Sequence, residues 1–177
     1  MTNFKLETER LIIRPFNLDD AAAMYELNTD PDVLMYTGDK AFNSMAEVED
    51  LINNYTQFEQ YRIGRFTVLQ KSDNEYVGWC GLNYNENGQV DLGYRFIKKY
   101  WGLGYATESA FANLNYGFVD LDLDEIIARA DIHNIASINV MKKLGMQYVG
   151  RFEYNPHEAE LYKITKKEFI LEKHPIF

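Results

Sequence analysis

The sequence of 177 residues predicts one α/β (α+β) domain, residues 1–177, built around a mixed sheet. Three β-rich runs over 65–97, separated by turn-forming residues, indicate a meander of antiparallel strands. After residue 97 the apolar residues recur at a spacing near 3.6 and alternate with further β-rich runs, which is typical of a β-α-β-α core. No fixed-period repeat, low-complexity stretch or proline-rich linker divides the chain.

The elements before the meander are a short strand and two helices. Residues 10–14 form a β-rich run, and a helix capped by an aspartate is predicted to continue through Leu27. Ser44 and Glu47 form a capping box ahead of apolar residues at helical spacing, which predicts a helix through Phe58.

The meander and the second half of the chain supply the remaining predicted elements. In order, these are strands over 65–70, 76–84 and 90–97, a helix over 106–118, a strand over 126–130, a helix over 134–144, strands over 146–154 and 160–164, and a helical turn from 165. Gly145 stands where a helix commonly ends in a left-handed residue.

Composition and charge restrict the class of protein. Apolar residues make up 46% of the chain, enough for a substantial core. The 18 basic and 27 acidic residues give a net charge of −9, which disfavours nucleic acid as a partner. A single cysteine, Cys80, excludes an internal disulfide and a CxxC metal motif, and the start of the chain resembles neither a signal peptide nor a membrane span. We therefore expect a cytoplasmic protein with no metal and no membrane partner.

Two glycines lie between the third meander strand and the helix that follows it. The first amides of a helix have no internal acceptors, so they attract anions, and Gly102 and Gly104 let a phosphate approach the backbone. A dinucleotide fingerprint would need Gly or Ala where Thr107 stands, and the Gly-Lys-Ser/Thr of a P-loop is missing. A phosphate-binding turn of another kind remains, or glycines that only allow close packing.

Polar residues also begin the next predicted helix. Asn134 and Ser137 follow the strand over 126–130, and ligands of open α/β sheets bind in crevices outside strand ends. Ordinary capping explains the same pair of residues, so both interpretations stay open.

Three ordered segments resemble the GNAT superfamily of N-acetyltransferases, and more narrowly its RimJ/RimL type. They are ETERLIIR at 7–14, DLGY at 91–94 with YWGLGYATE at 100–108, and NIAS at 134–137 with KKLGM at 142–146. The resemblance extends over about residues 8–169 and implies a curved, mostly antiparallel mixed sheet of about six to seven strands, flanked by helices, whose central strands splay apart around acetyl-CoA.

The resemblance also implies where acetyl-CoA binds. Its pyrophosphate would rest on the amides of the glycine turn, and its pantetheine arm would run beside the end of the third meander strand and contact Asn134. The cofactor-binding residues implied in this way are Phe96, Ile97, Gly102, Leu103, Gly104, Tyr105, Ala106 and Asn134.

The implied activity is direct transfer of the acetyl group from acetyl-CoA to a primary amine. Asp91 stands where this subgroup has a glutamate, so we expect it to accept the amine proton directly or through water. Ser137 matches a residue near the thioester sulfur and would orient or protonate it, since residues 135–144 contain no tyrosine. Cys80, within a strand, is interpreted as a small core residue and not as a nucleophile.

The identity of the acceptor is the open part of this interpretation. The RimJ/RimL resemblance implies the N-terminal amine of a protein, and Tyr36 falls where the family forms one side of the acceptor cleft. A small amine such as a polyamine, amino sugar or drug is the alternative, and so is a CoA-binding module without catalysis, because fold does not determine the acceptor. The resemblance is compatible with a monomer or a homodimer.

Overall fold

The computed structural model of the protein describes residues 4–154 and 157–171. Its strands are β1 Leu6–Glu7, β2 Leu11–Arg14, β3 Arg65–Gln70, β4 Tyr76–Tyr84, β5 Val90–Phe96, β6 Glu125–Asp131, β7 Gln147–Tyr154 and β8 His157–Thr165. Its helices are α1 Ala21–Leu27, α2 Pro31–Leu34, α3 Met45–Asn54, α4 Gln57–Tyr61, α5 Tyr105–Asn115, α6 Ile135–Lys143 and α7 Lys166–Leu171. Within the described ranges no helix has the length and apolar character needed to cross a membrane.

The strands form one mixed, mostly antiparallel sheet, which confirms the predicted fold class. Their order is β1-β2-β3-β4-β5-β6-β8-β7, and among these described strands only β5 and β6 run parallel. β4 and β5 pair from Tyr84–Val90 to Gly78–Phe96, whereas β5 and β6 share one bridge, between Asp91 and Ile127. The two central strands therefore diverge beyond Asp91.

Over the described residues the sheet has eight strands, one more than the upper end of the expected range of about six to seven. The additional strand is β1, which has two residues, Leu6 and Glu7, paired with β2. Two residues are too few to show the alternation by which strands are read from a sequence.

The helix predicted from Ser44 to Phe58 is also wrong in its length, because it is divided into α3 and α4. The division falls at Tyr55, whose backbone is extended (φ −81°, ψ 99°). The Tyr55 hydroxyl accepts a hydrogen bond of 2.7 Å from the Arg65 main-chain N–H, at the start of β3. A tertiary contact thus outweighs the local helical pattern.

Two apolar clusters cover the two faces of the sheet. On one face, α5 and α6 contribute Leu114 and Met141 to a core shared with Cys80 and Leu82 of β4. On the opposite face, α1, α2 and α3 pack against Tyr76 and Trp79 of β4. The point where β5 leaves β6 lies between these layers, and this position holds the candidate site.

Candidate active site

The divergence of β5 from β6 leaves part of the β5 main chain facing a gap. The Ile97 N–H donates to the Val77 carbonyl of β4 at 3.0 Å. Main-chain groups alternate in direction along a strand, so Tyr94 turns its N–H and C=O away from β4, toward β6. Because β6 is bridged only at Asp91, these Tyr94 groups point into the gap.

A glycine turn lies beyond the open end of this gap. Gly102 (φ +78°) and Gly104 (φ +84°) both adopt the left-handed conformation that favours glycine. Residues 101–104 are exposed, and Gly104 is the N-cap of α5. The first amides of α5 are therefore directed outward without intrahelical acceptors, an arrangement that favours an anion.

An ion pair between a partly exposed arginine and a buried carboxylate holds this turn in place. The carboxylate of Glu108, which is 1% exposed, accepts hydrogen bonds from the Thr8 hydroxyl (2.6 Å), the Arg10 N–H (2.9 Å) and Arg10 Nε (2.7 Å). Arg10 also donates to the Leu103 carbonyl at 3.0 Å and stacks over the Tyr105 ring. The sequence analysis missed this role, although Arg10 and Glu108 both lie within the segments that resemble the family.

The start of α6 approaches β5 from the other side of the gap. Asn134 caps α6, with its Oδ1 accepting from the Ser137 N–H at 3.1 Å. The Tyr94 hydroxyl donates to the Ser137 carbonyl at 3.0 Å, so this side chain connects β5 to α6. Burial raises the pKa of Tyr94, and its hydroxyl therefore remains a hydrogen-bond donor at neutral pH.

A cavity of about 190 Å³ lies where the two strands part. Its lining brings together four predicted site residues, Asp91, Asn134, Ser137 and Tyr36. These residues come from β5, from the start of α6 and from the segment after α2, and no local pattern places them side by side.

Asp91 faces this cavity beside the single bridge between β5 and β6. Its side chain is buried and forms an ion pair with Arg129 of β6. Arg129 is a second residue that the sequence analysis missed, because the signal is an ion pair across two strands and not a motif. The pair links the strands at the point from which they separate.

The remaining predicted cofactor residues lie toward the glycine turn, away from this cavity. The Phe96 carbonyl accepts from the Trp101 indole N–H at 2.7 Å, and the Phe96 side chain is buried in the core. The Ile97 carbonyl accepts from the Tyr100 N–H at 2.9 Å. These two residues therefore bring the end of β5 up to the turn at 102–106, and the site extends along β5 from the turn to Asp91.

Cys80 lies in the core, away from the cavity lining. It is fully buried, and burial raises the pKa of its thiol to about 12. Across residues 4–154 and 157–171, no group of three His, Cys, Asp or Glu side chains is arranged to hold a metal ion.

A splayed sheet, an anion-binding helix start and an adjoining cavity are the arrangement of an acetyltransferase. Residues 10–147 match the family model described as an acetyltransferase (GNAT) domain, and the chain belongs to that family.

Relatives and solved structures agree with this assignment. The chain is 32% identical over 173 residues to the uncharacterized N-acetyltransferase p20 of Bacillus licheniformis, covering 93% of this chain and 97% of that one. A GNAT-family acetyltransferase structure from Bacillus anthracis is similar at a TM-score of 0.81 and 30% identity, covering 93% and 100% of the two chains. A spermidine N-acetyltransferase from Vibrio cholerae, solved with CoA and spermine, shares the fold at a TM-score of 0.78 and 19% identity, covering 92% and 99%. The protein is thus an acetyl-CoA-dependent N-acetyltransferase that acts on an amine.

Proposed function

We propose that the chain acetylates a primary amine that reaches the gap from the face of the sheet covered by α1–α3. The main support for this proposal is that β5 and β6 share a single bridge, so that a gap opens between the two strands. Beyond that bridge the gap connects the anion site at the start of α5 with the cavity that contains Asp91 and Ser137.

The glycine turn suits the phosphates of CoA. Exposed left-handed glycines and outward amides over 102–106 would bind the pyrophosphate, and the Arg10 guanidinium, paired with Glu108, lies beside Gly104. Phe96, Ile97 and Asn134 would flank the pantetheine arm on its way to the cavity. Acetyl-CoA itself supplies an acetyl group activated as a thioester.

The residues around the cavity would then promote transfer. The uncharged amine forms a bond to the thioester carbonyl carbon as the carbon–sulfur bond breaks, and the Tyr94 main-chain N–H donates to the carbonyl oxygen as it gains charge. Asp91 accepts the amine proton directly or through water. Ser137 donates to, or orients, the sulfur that leaves as a thiolate.

The acceptor we propose first is the N-terminal amine of a protein, on the strength of the RimJ/RimL resemblance. Tyr36 lines the cavity and is partly exposed, so it would contact this acceptor. A small amine is the second candidate, and the limited cavity volume of about 190 Å³ favours it. Among the relatives, the spermidine N(1)-acetyltransferase of Escherichia coli is 26% identical over 140 residues, covering 78% of this chain and 73% of that one.

The test is release of CoA thiol from acetyl-CoA in the presence of short peptides and small amines. We expect Ser137→Ala to lower kcat by about 100-fold with little change in acetyl-CoA binding, and Asp91→Asn to move activity toward higher pH, where more of the amine is uncharged. Ser72→Ala and Asp73→Asn, in the exposed turn between β3 and β4, are matched controls.

Asp91→Asn also removes the ion pair with Arg129, so Arg129→Gln is needed beside it. Arg129→Gln removes the pair but keeps the carboxylate, and we expect its pH profile to stay close to that of the wild type. If Asp91→Asn and Arg129→Gln change the profile equally, Asp91 holds the strands together and does not act as the base.

A further inference from the structure

The Arg65 side chain extends from β3 across β4 to β5, because the residues beneath it, Gly81 and Gly93, have no side chains. Arg65 of β3 pairs with Gly81 of β4, and Gly81 pairs with Gly93 of β5. A Cβ built on Gly93 would lie 3.6 Å from both Nε and Nη2 of Arg65. The guanidinium therefore lies over β5, two residues from Asp91.

Within the described part of the chain, the Arg65 guanidinium has neither a hydrogen-bond acceptor nor an acidic partner. Its Nε is buried and unpaired, and its cationic group stacks on the Trp79 ring at 4.7 Å. The neighbouring arginines differ, because Arg95 pairs with Asp39 and Arg129 pairs with Asp91. Arg65 is only partly exposed, and a partly desolvated cation without an anion is costly, so this position favours binding of an anion.

Arg65 also lines a second cavity of about 350 Å³ that adjoins the first on the α1–α3 face. The described lining of this second cavity is apolar at Phe16, Met24, Phe42 and Leu51. Arg65 thus lies between the first cavity, which contains Asp91 and Ser137, and the second cavity, which is partly apolar.

The charge around the second cavity opposes a polycationic acceptor. Its described lining contains three basic residues, Lys40, Arg65 and Arg95, and one acidic residue, Asp39. This local excess of positive charge occurs in a protein whose net charge is −9. A positive lining attracts anions and repels amines that carry several charges.

We propose that Arg65 binds a carboxylate of the acceptor, so that the acceptor is an amine with a carboxylate a few bonds away and an apolar group beyond it. Arg65 lies over Gly93, and Gly93 is next to Tyr94, whose main-chain N–H we place at the thioester carbonyl. The amine and the carboxylate of the acceptor must therefore be close together. The inference rests on the proposed function, since it names the acceptor class of that site. The carboxylate is either the free acid of an amino-acid-like small molecule or the side chain of an acidic N-terminal residue in a peptide.

Matched acceptors test this proposal. Leucine and phenylalanine are compared with their amides, peptides that begin with Asp are compared with peptides that begin with Asn, and spermidine is the polycationic reference. We expect kcat/KM to be about 10-fold to 100-fold higher for acids than for the matched amides, as for a hydrogen-bonded charge pair. The free amino acids and the Asp peptides separate the two sources of the carboxylate.

Arg65→Gln should abolish the preference for acids by lowering kcat/KM for the acids to that for the amides. Arg151→Gln, an exposed arginine on β7 outside both linings, is the matched control and should keep the preference. Because Arg65 has no acidic partner to lose and gives up only its stacking on Trp79, we expect Arg65→Gln to melt close to the wild-type temperature. If Arg65→Gln does not fold, Arg65→Lys retains the charge but loses the planar fork, and it should weaken the preference.

Equal use of acids and amides by the wild type would overturn the proposal, as would an Arg65→Gln variant that loses activity on both alike. Calorimetric binding of phenylalanine and phenylalaninamide in the presence of CoA gives the same comparison without turnover. Acetylation of amines without any preference for acids would leave the proposed function intact and remove only this inference. Absence of acetylation of every amine, with the acid still bound through Arg65, would overturn the proposed function alone.

Discussion

At the scale of single residues, the glycine turn depends on backbone conformations that other residues rarely adopt. Gly104 has φ +84°, and a Cβ placed on it would lie 3.3 Å from Nη2 of Arg10. Gly88, in the turn between β4 and β5, has φ +74° with nothing within 4 Å of such a Cβ. Substitution of either glycine thus causes similar backbone strain, but of the two only Gly104 borders the proposed anion site.

We expect Gly104→Ala to weaken acetyl-CoA binding by about 10-fold, because the added methyl crowds both Arg10 and the approach of a phosphate. Gly88→Ala should lose a similar amount of stability, about 1 kcal/mol, and keep its affinity. Calorimetric titration with acetyl-CoA and chemical denaturation of both variants measure these effects. Equal affinity of the two variants for acetyl-CoA would show that the glycine turn does not contact the cofactor.

Cys80 gives a second prediction at this scale. Its thiol is buried, and its pKa is raised to about 12, so almost no thiolate is present near neutral pH. We expect iodoacetamide at about pH 8 to leave the native protein unmodified, as judged by mass spectrometry, and Cys80→Ala to keep its turnover. Loss of turnover in a folded Cys80→Ala variant would contradict this interpretation and indicate that the cysteine takes part in the reaction.

At the scale of elements, the start of α5 depends on a segment far away in sequence. Arg10, just before β2, and Glu108, in the first turn of α5, are 98 residues apart and form an ion pair in which the carboxylate is buried and the arginine is partly exposed. The Arg10 hydrogen bond to the Leu103 carbonyl extends this contact to the glycine turn. The edge of the sheet thereby positions the glycine turn, where we propose that the phosphates bind.

Removing Arg10 should therefore affect stability and cofactor binding together. We expect Arg10→Met to destabilise the fold by about 2 to 3 kcal/mol, since Glu108 would remain buried without its cation, and to weaken acetyl-CoA binding. Lys163→Met, which removes an exposed pair with Glu125, should change both quantities much less. Denaturation midpoints and acetyl-CoA titrations measure the two effects, and an unchanged midpoint for Arg10→Met would contradict the structural role.

At the scale of the whole molecule, buried phenols and the buried thiol link stability to alkaline pH. Burial raises the pKa of Tyr55, Tyr76 and Tyr94 above the usual value near 10, and that of Cys80 to about 12. Between the ordinary and the raised pKa, the unfolded chain loses protons that the folded chain retains. The free energy of unfolding must therefore fall as the pH rises above about 9.

Urea denaturation at a series of pH values from about 7 to about 11 checks this expectation. The midpoint should decrease steadily above about pH 9, and Tyr76→Phe should reduce the slope, because the buried Tyr76 hydroxyl has no hydrogen-bond partner among the described residues. The exposed Tyr61→Phe variant is the matched control and should keep the wild-type slope. A midpoint independent of pH over this range would show that these groups titrate alike in both states.

The sequence by itself determined the order and type of most elements, the glycine turn and the family. Capping residues such as Ser44 and Asn134 act within three positions, and apolar periodicity is read over a few turns, so these features survive without tertiary information. The cofactor and catalytic candidates lie within such local motifs.

Only the tertiary structure decided which residues meet across the sheet. The row Arg65, Gly81 and Gly93, the pair of Asp91 with Arg129 and the pair of Arg10 with Glu108 each join segments well separated in sequence. Their partners follow from strand register and sheet order, which no local pattern specifies. The reaction class could be predicted from the sequence because its motifs are local. The position of Arg65 beside the site could not, because it depends on the pairing of three strands.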